Sequence, residues 1–294
     1  MKWLVTLAGV GLVLIILRDV FHTLWHPTRH GGLSRRVMTA SWRLSSRFGR
    51  RRAAGLAGPL AMVTVVALWA FTITLGWALI YWPHLPDAFS FASGLTPDEH
   101  SGFVDALYIS MVTVTTLGLG DIAPATGWLR VLGPMEALVG FALLTATVSW
   151  VLGIYPALAR RRALALRLSH LQRTRPTARQ LDSSAGAAVL EHLAAGVANV
   201  CVDFLQYAES YYFHDGDDHT SLAHNIHYAV ELADLTSESQ HADVQLCSAV
   251  LRTALEDLAL ILDRRFLHTR ATAALTFAAF ARDHGAGPDS VQGH

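Results

Sequence analysis

The sequence predicts an all-α membrane protein: transmembrane helices, one shorter re-entrant helix among them, then a soluble helical C-terminal domain. Three observations carry this. Apolar residues make up 52% of the 294 residues, and they are concentrated in the first half. An arginine-rich segment without a single acid lies between the first two apolar stretches. From about residue 163 to 283, apolar residues recur at three- and four-residue spacing, the period of helices with one buried face.

Residues 1–25 form the first predicted span. An apolar run from Trp3 to Leu17 is followed by Arg18-Asp19 and closes with Phe21, Leu24 and Trp25. A hydrophobic run after Lys2 also fits a secretory signal peptide, but no small-x-small cleavage site follows, so an uncleaved helix is the better reading. Arg18 and Asp19 sit near its end, where snorkelling to the interface would relieve most of their cost. Residues 26–57 hold Arg29, Arg35, Arg36, Arg43, Arg47, Arg50, Arg51 and Arg52. Such a run could bind nucleic acid, but between two spans it reads as a cytoplasmic loop obeying the positive-inside bias, and no nucleic-acid partner is expected. Val37, Trp42, Leu44 and Phe48 interleave with the arginines, so part of the loop is expected to lie as a helix on anionic lipid headgroups.

The next span covers residues 58–82. Pro59 fits its first turn, and no charge interrupts Leu60 to Trp82, a run long enough for the roughly 20 residues a bilayer core requires. Trp77, Tyr81 and Trp82 suit the outer interface. Polar residues 83–100 follow, where Thr96-Pro97-Asp98-Glu99 reads as a helix start. Gly102 to Thr115 is apolar but too short to span, which points to a re-entrant helix. Its C-terminal end would present partial negative charge, favouring cations. Residues 127–157 are the last span, with Arg130 near its outer end and Arg160, Arg161 and Arg162 after its inner end.

Between the short helix and that last span lies Thr113-Val114-Thr115-Thr116-Leu117-Gly118-Leu119-Gly120-Asp121. Glycine at every second position lets a backbone alternate between left- and right-handed conformations, so that successive carbonyls can point to one side. Such a row is costly to bury without partners. Ringed around an axis by several chains, it can replace the water shell of a monovalent cation. Thr116-Leu117-Gly118-Leu119-Gly120-Asp121 resembles the Thr-Val-Gly-Tyr-Gly-Asp filter of potassium channels, with Leu for Val at 117 and Leu for Tyr at 119. Gly-Leu-Gly and Gly-Phe-Gly filters also occur in that family. The order of span, re-entrant helix, filter and span over residues 58–157 resembles the family's two-transmembrane pore domain.

The resemblance implies a homotetramer in which Thr116, Leu117, Gly118, Leu119 and Gly120 form the filter, holding K+ ions and no organic cofactor. Asp121 would concentrate cations at the outer mouth, and Gly140 falls at the family's hinge glycine; the alternative is that Gly140 only permits close packing. Phe141, Leu144 and Val148 would then line the cavity below the filter, with Thr145 and Ser149 beside them. Leu119 lacks the hydroxyl that in many relatives ties the filter to the pore helix. Val112 stands where some relatives carry a Glu paired with the Asp after the filter. Glu136 is the acid inside the last span, and an intramembrane carboxylate is functional by default. It is expected to brace the filter from behind, near Thr113 or Thr115; the alternative is a water-exposed acid at the outer vestibule. A potassium filter must open outside, which agrees with the arginine bias: N-terminus outside, C-terminal domain cytoplasmic, in the cell membrane.

Residues 158–283 are predicted as a cytoplasmic helical bundle with helices from Asp182, from Ser221 to Leu235, and from Ala242 to Phe266. Residues 284–294 read as a disordered tail. Cys201 and Cys247 match neither a disulfide framework nor a zinc motif. His214, His219, His224 and His227 sit among Asp215, Asp217 and Asp218, residue types that suit a divalent metal or a proton sensor, although a polar connector also collects them. No nucleophile elbow, paired-carboxylate or zincin motif is present, so the chain is not expected to be an enzyme. No repeated arginine pattern marks a voltage sensor, leaving gating to the bundle through an unidentified cytoplasmic effector, or to lipid. Two rivals to a potassium channel stay open: a weakly selective cation channel, because Leu119 loosens the usual aromatic cuff, and a non-conducting membrane-anchored signalling or scaffold protein.

Overall fold

A computed structural model describes residues 1–24, 32–47 and 51–285. Arg29, Phe48, Arg50, Trp25 and all of the expected tail beyond Gly285 lie outside the described residues. The chain divides into two compact units, one of residues 1–40 and 60–152, the other of residues 41–59 and 153 onward. Among the described residues, four helices are long and apolar enough to cross a membrane: Lys2–Thr23, Gly58–His84, Gly127–Thr174 and Ser184–Gln206. Phe103–Val114 is apolar but shorter.

The first unit is built from α1 (Lys2–Leu24), the start of α2 (Gly32–Arg47), most of α3 (Arg51–Tyr81), α4 (Phe103–Val114) and the first part of α5 (Gly127–Thr174). Lys2 Nζ lies 3.6 Å from the Asp87 carboxylate, and Thr6 Oγ1 lies 3.1 Å from His84 Nε2. Trp3 and Trp128 flank the same His84 ring at centroid distances of 5.4 and 4.9 Å. The start of α1, the end of α3 and the start of α5 therefore share one end of the unit, where amphipathic aromatics suit a membrane interface. Asp19 does not snorkel as the sequence suggested. It is buried, and the Trp69 indole N–H donates to its carboxylate at 2.9 Å. A carboxylate inside a span costs less with a donor from the neighbouring helix than bare in hydrocarbon.

The buried stripe of α3 runs through Val65, Trp69, Ile73, Trp77 and Tyr81, and that of α5 through Leu129, Glu136, Leu143 and Trp150, both at helical spacing. Helix α4 starts later than Thr96. Pro97–His100 makes one 3₁₀ turn, and the Thr96 hydroxyl spends its hydrogen bond on Glu99 (2.6 Å) instead of on backbone. The helix restarts after Gly102, whose N–H donates to Asp105 Oδ2 at 3.1 Å. A two-stranded antiparallel ribbon, β1 (Phe89–Phe91) with β2 (Ile122–Pro124), pairs Phe91 with Ile122. Nothing in its six residues announced it, because strands this short leave no periodicity to read.

The second unit is a helical bundle of α6 (Ala178–Leu181), α7 (Ser184–Gln206), α8 (Leu222–Leu235), α9 (Ala242–Leu262) and α10 (Ala273–Asp283). Leu193 and Val197, Ile226, Leu251 and Leu258, and Phe280 form its core. The third expected helix stops at Leu262 and widens into a π turn over Asp263–Leu267. The Asp263 carboxylate draws the N–H groups of Thr269 and Arg270 back toward the helix end (2.5 and 3.0 Å), with His268, which closes the turn just before them, left-handed.

Arg160 makes two hydrogen bonds to the buried Asp203 carboxylate, at 2.9 and 2.5 Å. Arg161 is buried and donates to the Ser210 and Phe213 carbonyls at 2.6 and 2.8 Å, while Arg162 reaches Asp215 at 2.8 Å. Helix α2 forms as expected, but Trp42 does not face lipid. It is 6% exposed and packs on Tyr211, His214 and His284, with centroids 5.9, 4.4 and 5.0 Å away. An indole buries too much apolar area to stay at a surface when an aromatic pocket is within reach.

Candidate functional site

The Thr-rich end of α4 passes directly into the glycine-rich strand. The first residues of that strand hang from the helix end: Thr116 N–H donates to the Thr113 carbonyl (2.9 Å), and Leu117 and Gly118 N–H both reach the Val112 carbonyl (2.9 and 3.2 Å). Helix C-termini carry unpaired carbonyls, and here the strand itself satisfies them. Thr116, Gly118 and Gly120 have φ of 60, 55 and 78°, whereas Leu117 and Leu119 between them do not enter the left-handed region. An every-second-residue alternation of this kind allows successive carbonyls to turn toward one side. For glycine it costs nothing, but Thr116 is β-branched, so its positive φ is strain held in place by the surrounding hydrogen bonds. Sequence reasoning gave the alternation to the glycines and missed that Thr116 shares it. Residues 115–120 are all exposed in the single chain.

Asp121 has a partner that sequence reasoning did not find. The Tyr108 hydroxyl, on α4, donates to Asp121 Oδ2 at 2.7 Å. Thirteen residues separate the two, and no local pattern links them. On its other side the strand is tied down by the ribbon, where Ala92 N–H donates to the Asp121 carbonyl at 2.8 Å. Behind the strand, a cavity of about 310 Å³ is lined by Tyr108, Val112, Thr113, Gly118, Asp121 and Arg130, among others.

Glu136 lies fully buried, not at a water-exposed vestibule, and its partners are neither Thr113 nor Thr115. Its Oε2 is 2.6 Å from the Tyr81 hydroxyl on α3, and its Oε1 is 2.6 Å from the Ser110 hydroxyl, midway along α4. Thr113 and Thr115 instead donate back to the carbonyls of Ile109 and Met111, at 2.8 and 2.7 Å. The carboxyl therefore grips α4 about one turn before its end. Gly140 is seated against the end of α4, where a Cβ would lie 1.9 Å from the Val114 carbonyl oxygen. Helix α5 runs unbroken through that position. Phe141, Leu144 and Val148 are 61, 62 and 49% exposed on the face of α5 away from the buried stripe. Thr145 and Ser149 bond back to their own helix at 3.0 and 2.9 Å.

The structure does not gather the four histidines. His214 stacks with His284 beneath Trp42 (5.6 Å), His219 Nδ1 pairs with Ser169 Oγ (2.9 Å), and His224 and His227 are half-buried along α8. Among the described residues no group of three or more His, Cys, Asp or Glu is placed to hold a metal ion.

Residues 64–154 match a family model described as an ion channel. This stretch is an ion-channel domain, and the chain is an all-α membrane protein. Among curated proteins, the chain is 26% identical over 167 residues to the "Uncharacterized membrane protein YdjJ" of Bacillus subtilis (strain 168), covering 54% of this chain and 46% of that one. It is 41% identical over 66 residues to the "Two-pore potassium channel 5" of Arabidopsis thaliana, covering 19% of this chain and 16% of that one. The chain thus spans less than half the length of either relative. No solved structure matches.

Proposed function

We propose that the chain is a subunit of a homotetrameric potassium channel that conducts passively and performs no catalysis. The observation that carries this reading is the alternation of left-handed backbone at Thr116, Gly118 and Gly120 on a strand left exposed in the single chain. Four such strands around an axis would offer the carbonyls of Thr116, Leu117, Gly118 and Leu119, and the Thr116 hydroxyl, in place of the water around K+. Asp121, held by Tyr108, would raise the cation concentration at the mouth. Phe141, Leu144 and Val148 would line the cavity below, and Gly140 would set how closely α5 lies on the pore helix, bending there on gating.

In this reading the channel sits in the cell membrane with its N-terminus and filter mouth outside. The ion pair between Lys2 and Asp87 supports placing those two on one side. The arginines of residues 26–57 face the cytoplasm and its anionic lipids. The bundle, α7 included, is cytoplasmic and receives an effector. For α7 the support is its buried Asp203, paired with Arg160, and its packing within the bundle core.

The test is tracer flux from liposomes holding the purified protein, with oligomer mass measured in mild detergent. Potassium uptake by a four-chain assembly, lost on Gly118→Ala because alanine resists φ of 55°, is the expected result. Equal passage of sodium would favour the weakly selective channel. A folded four-chain assembly that carries neither ion would overturn conduction and favour the scaffold.

A further inference from the structure

Three contacts of hydrogen-bond length meet at the buried junction of α3, α4 and α5. Tyr81 OH lies 2.6 Å from Glu136 Oε2, Ser110 Oγ lies 2.6 Å from Glu136 Oε1, and Ser110 Oγ also lies 2.9 Å from the Thr74 carbonyl oxygen. Each such contact needs one proton between its two oxygens. Tyr81 supplies one proton and Ser110 supplies one. The Thr74 carbonyl has none to give. The chain of oxygens is one proton short if Glu136 is a carboxylate. In that case either Ser110 and Thr74, or Ser110 and Glu136, would face each other lone pair to lone pair in a site without water access.

We propose that Glu136 is held as the neutral carboxylic acid and positions the pore helix as a hydrogen-bond donor. Its O–H donates to Ser110, Ser110 donates to the Thr74 carbonyl, and Tyr81 donates to the remaining carboxyl oxygen. Every donor and acceptor is then used once, in one direction, across three helices. The site gives an ionised form little help. Among the described residues the titratable group that faces Glu136 is Tyr81, and no Arg, Lys or His makes an ion pair with it. A buried charge without a counter-charge is the costly state, and a neutral acid with all its hydrogen bonds made is not. Ser110 sits on the same short helix whose last carbonyls, those of Val112 and Thr113, hold the filter strand. The bridge therefore fixes the helix from which the strand hangs.

The inference deepens the channel reading in its flux arm only; its spectroscopic arm does not need conduction. Infrared difference spectra of the purified protein in lipid, wild type minus Glu136→Gln, are expected to show the carbonyl stretch of a protonated carboxyl group that shifts in D₂O. A pair of carboxylate stretches in its place overturns the proposal. Glutamine is the neutral isostere: its NH₂ can donate to Ser110 and its carbonyl can accept from Tyr81. Potassium flux is therefore expected to survive in E136Q and to fall about tenfold in Glu136→Ala, the equivalent of one lost buried hydrogen bond. An E136Q channel as impaired as E136A contradicts the donor role. Should E136A not fold, Ser110→Ala cuts the same chain without leaving a charge, and a thermal midpoint unchanged from wild type would contradict the bridge. If no variant and no wild type conducts, the infrared result still stands on its own.

Discussion

Substituting Gly140 by alanine sets two effects of known sign against each other. Alanine is the better helix former, worth at most about 1 kcal/mol over glycine in a helix interior. Against this, its Cβ would lie 1.9 Å from the Val114 carbonyl oxygen, where an ordinary contact begins at 3.4 Å. One of the two backbones must move by the difference, 3.4 − 1.9 = 1.5 Å. No rotamer can relieve it, because the obstacle is main chain at the end of α4. Inserting one methyl group into packed structure costs about 1–3 kcal/mol, and a clash with backbone belongs at the upper end, so the net change is destabilising. Val114 follows directly on Val112 and Thr113, whose carbonyls hold Thr116 and Leu117, so a shift of its backbone is expected to displace the strand too. Gly140→Ala is therefore expected to lower the thermal midpoint of the assembled protein and to reduce potassium over sodium flux together. A variant as stable as wild type, or more so, with unchanged selectivity would refute the close-packing role. A change in open probability alone would leave Gly140 as a hinge and nothing more.

The Tyr108–Asp121 bond predicts that Tyr108→Phe shortens conducting dwell times severalfold in single-channel recordings, with folding unchanged; unaltered dwell times would remove Tyr108 from the site. Arg160→Ala strands the buried Asp203 carboxylate and is expected to cost about 3 kcal/mol in chemical denaturation of the full chain, whereas Arg162→Ala costs under about 1 kcal/mol because Arg161 still serves Asp215. Equal losses would contradict that division of labour. His284 is pushed down to about 4 by its burial first and by Arg161 next, so it folds neutral under Trp42. Its contribution to stability is then full above its ordinary value of about 6.5 and is lost as pH falls from there toward about 4. The thermal midpoint of the bundle should drop between pH 7 and pH 5, and less so in His284→Gln; a flat profile for wild type would contradict the burial of a neutral ring.

The spans, the short helix and the glycine alternation were legible because hydrophobic length and glycine spacing are local signals. What stayed hidden was tertiary. Asp19 read as an interfacial residue because its partner, Trp69, lies fifty residues away on another helix. Tyr108 looked like one more apolar residue of a short helix, and nothing near it names Asp121. Glu136 stands out in the sequence by its isolation in an apolar span, but the sequence does not choose among the hydroxyls of α4. It faces Ser110 because that residue lies on the buried side of the helix, while Thr115 is exposed. The histidines clustered in sequence yet parted in space, since His214 is drawn under Trp42 and His219 turns to Ser169.

The central claim is that main-chain oxygens between Thr116 and Leu119 strip water from potassium and pass it along. Reversal potentials across a bilayer holding the purified protein, with potassium on one side and sodium with a little potassium on the other, address it most directly. A potential near the potassium equilibrium value is expected, collapsing toward zero in Gly118→Ala if any current remains. A wild-type reversal potential near zero would contradict it.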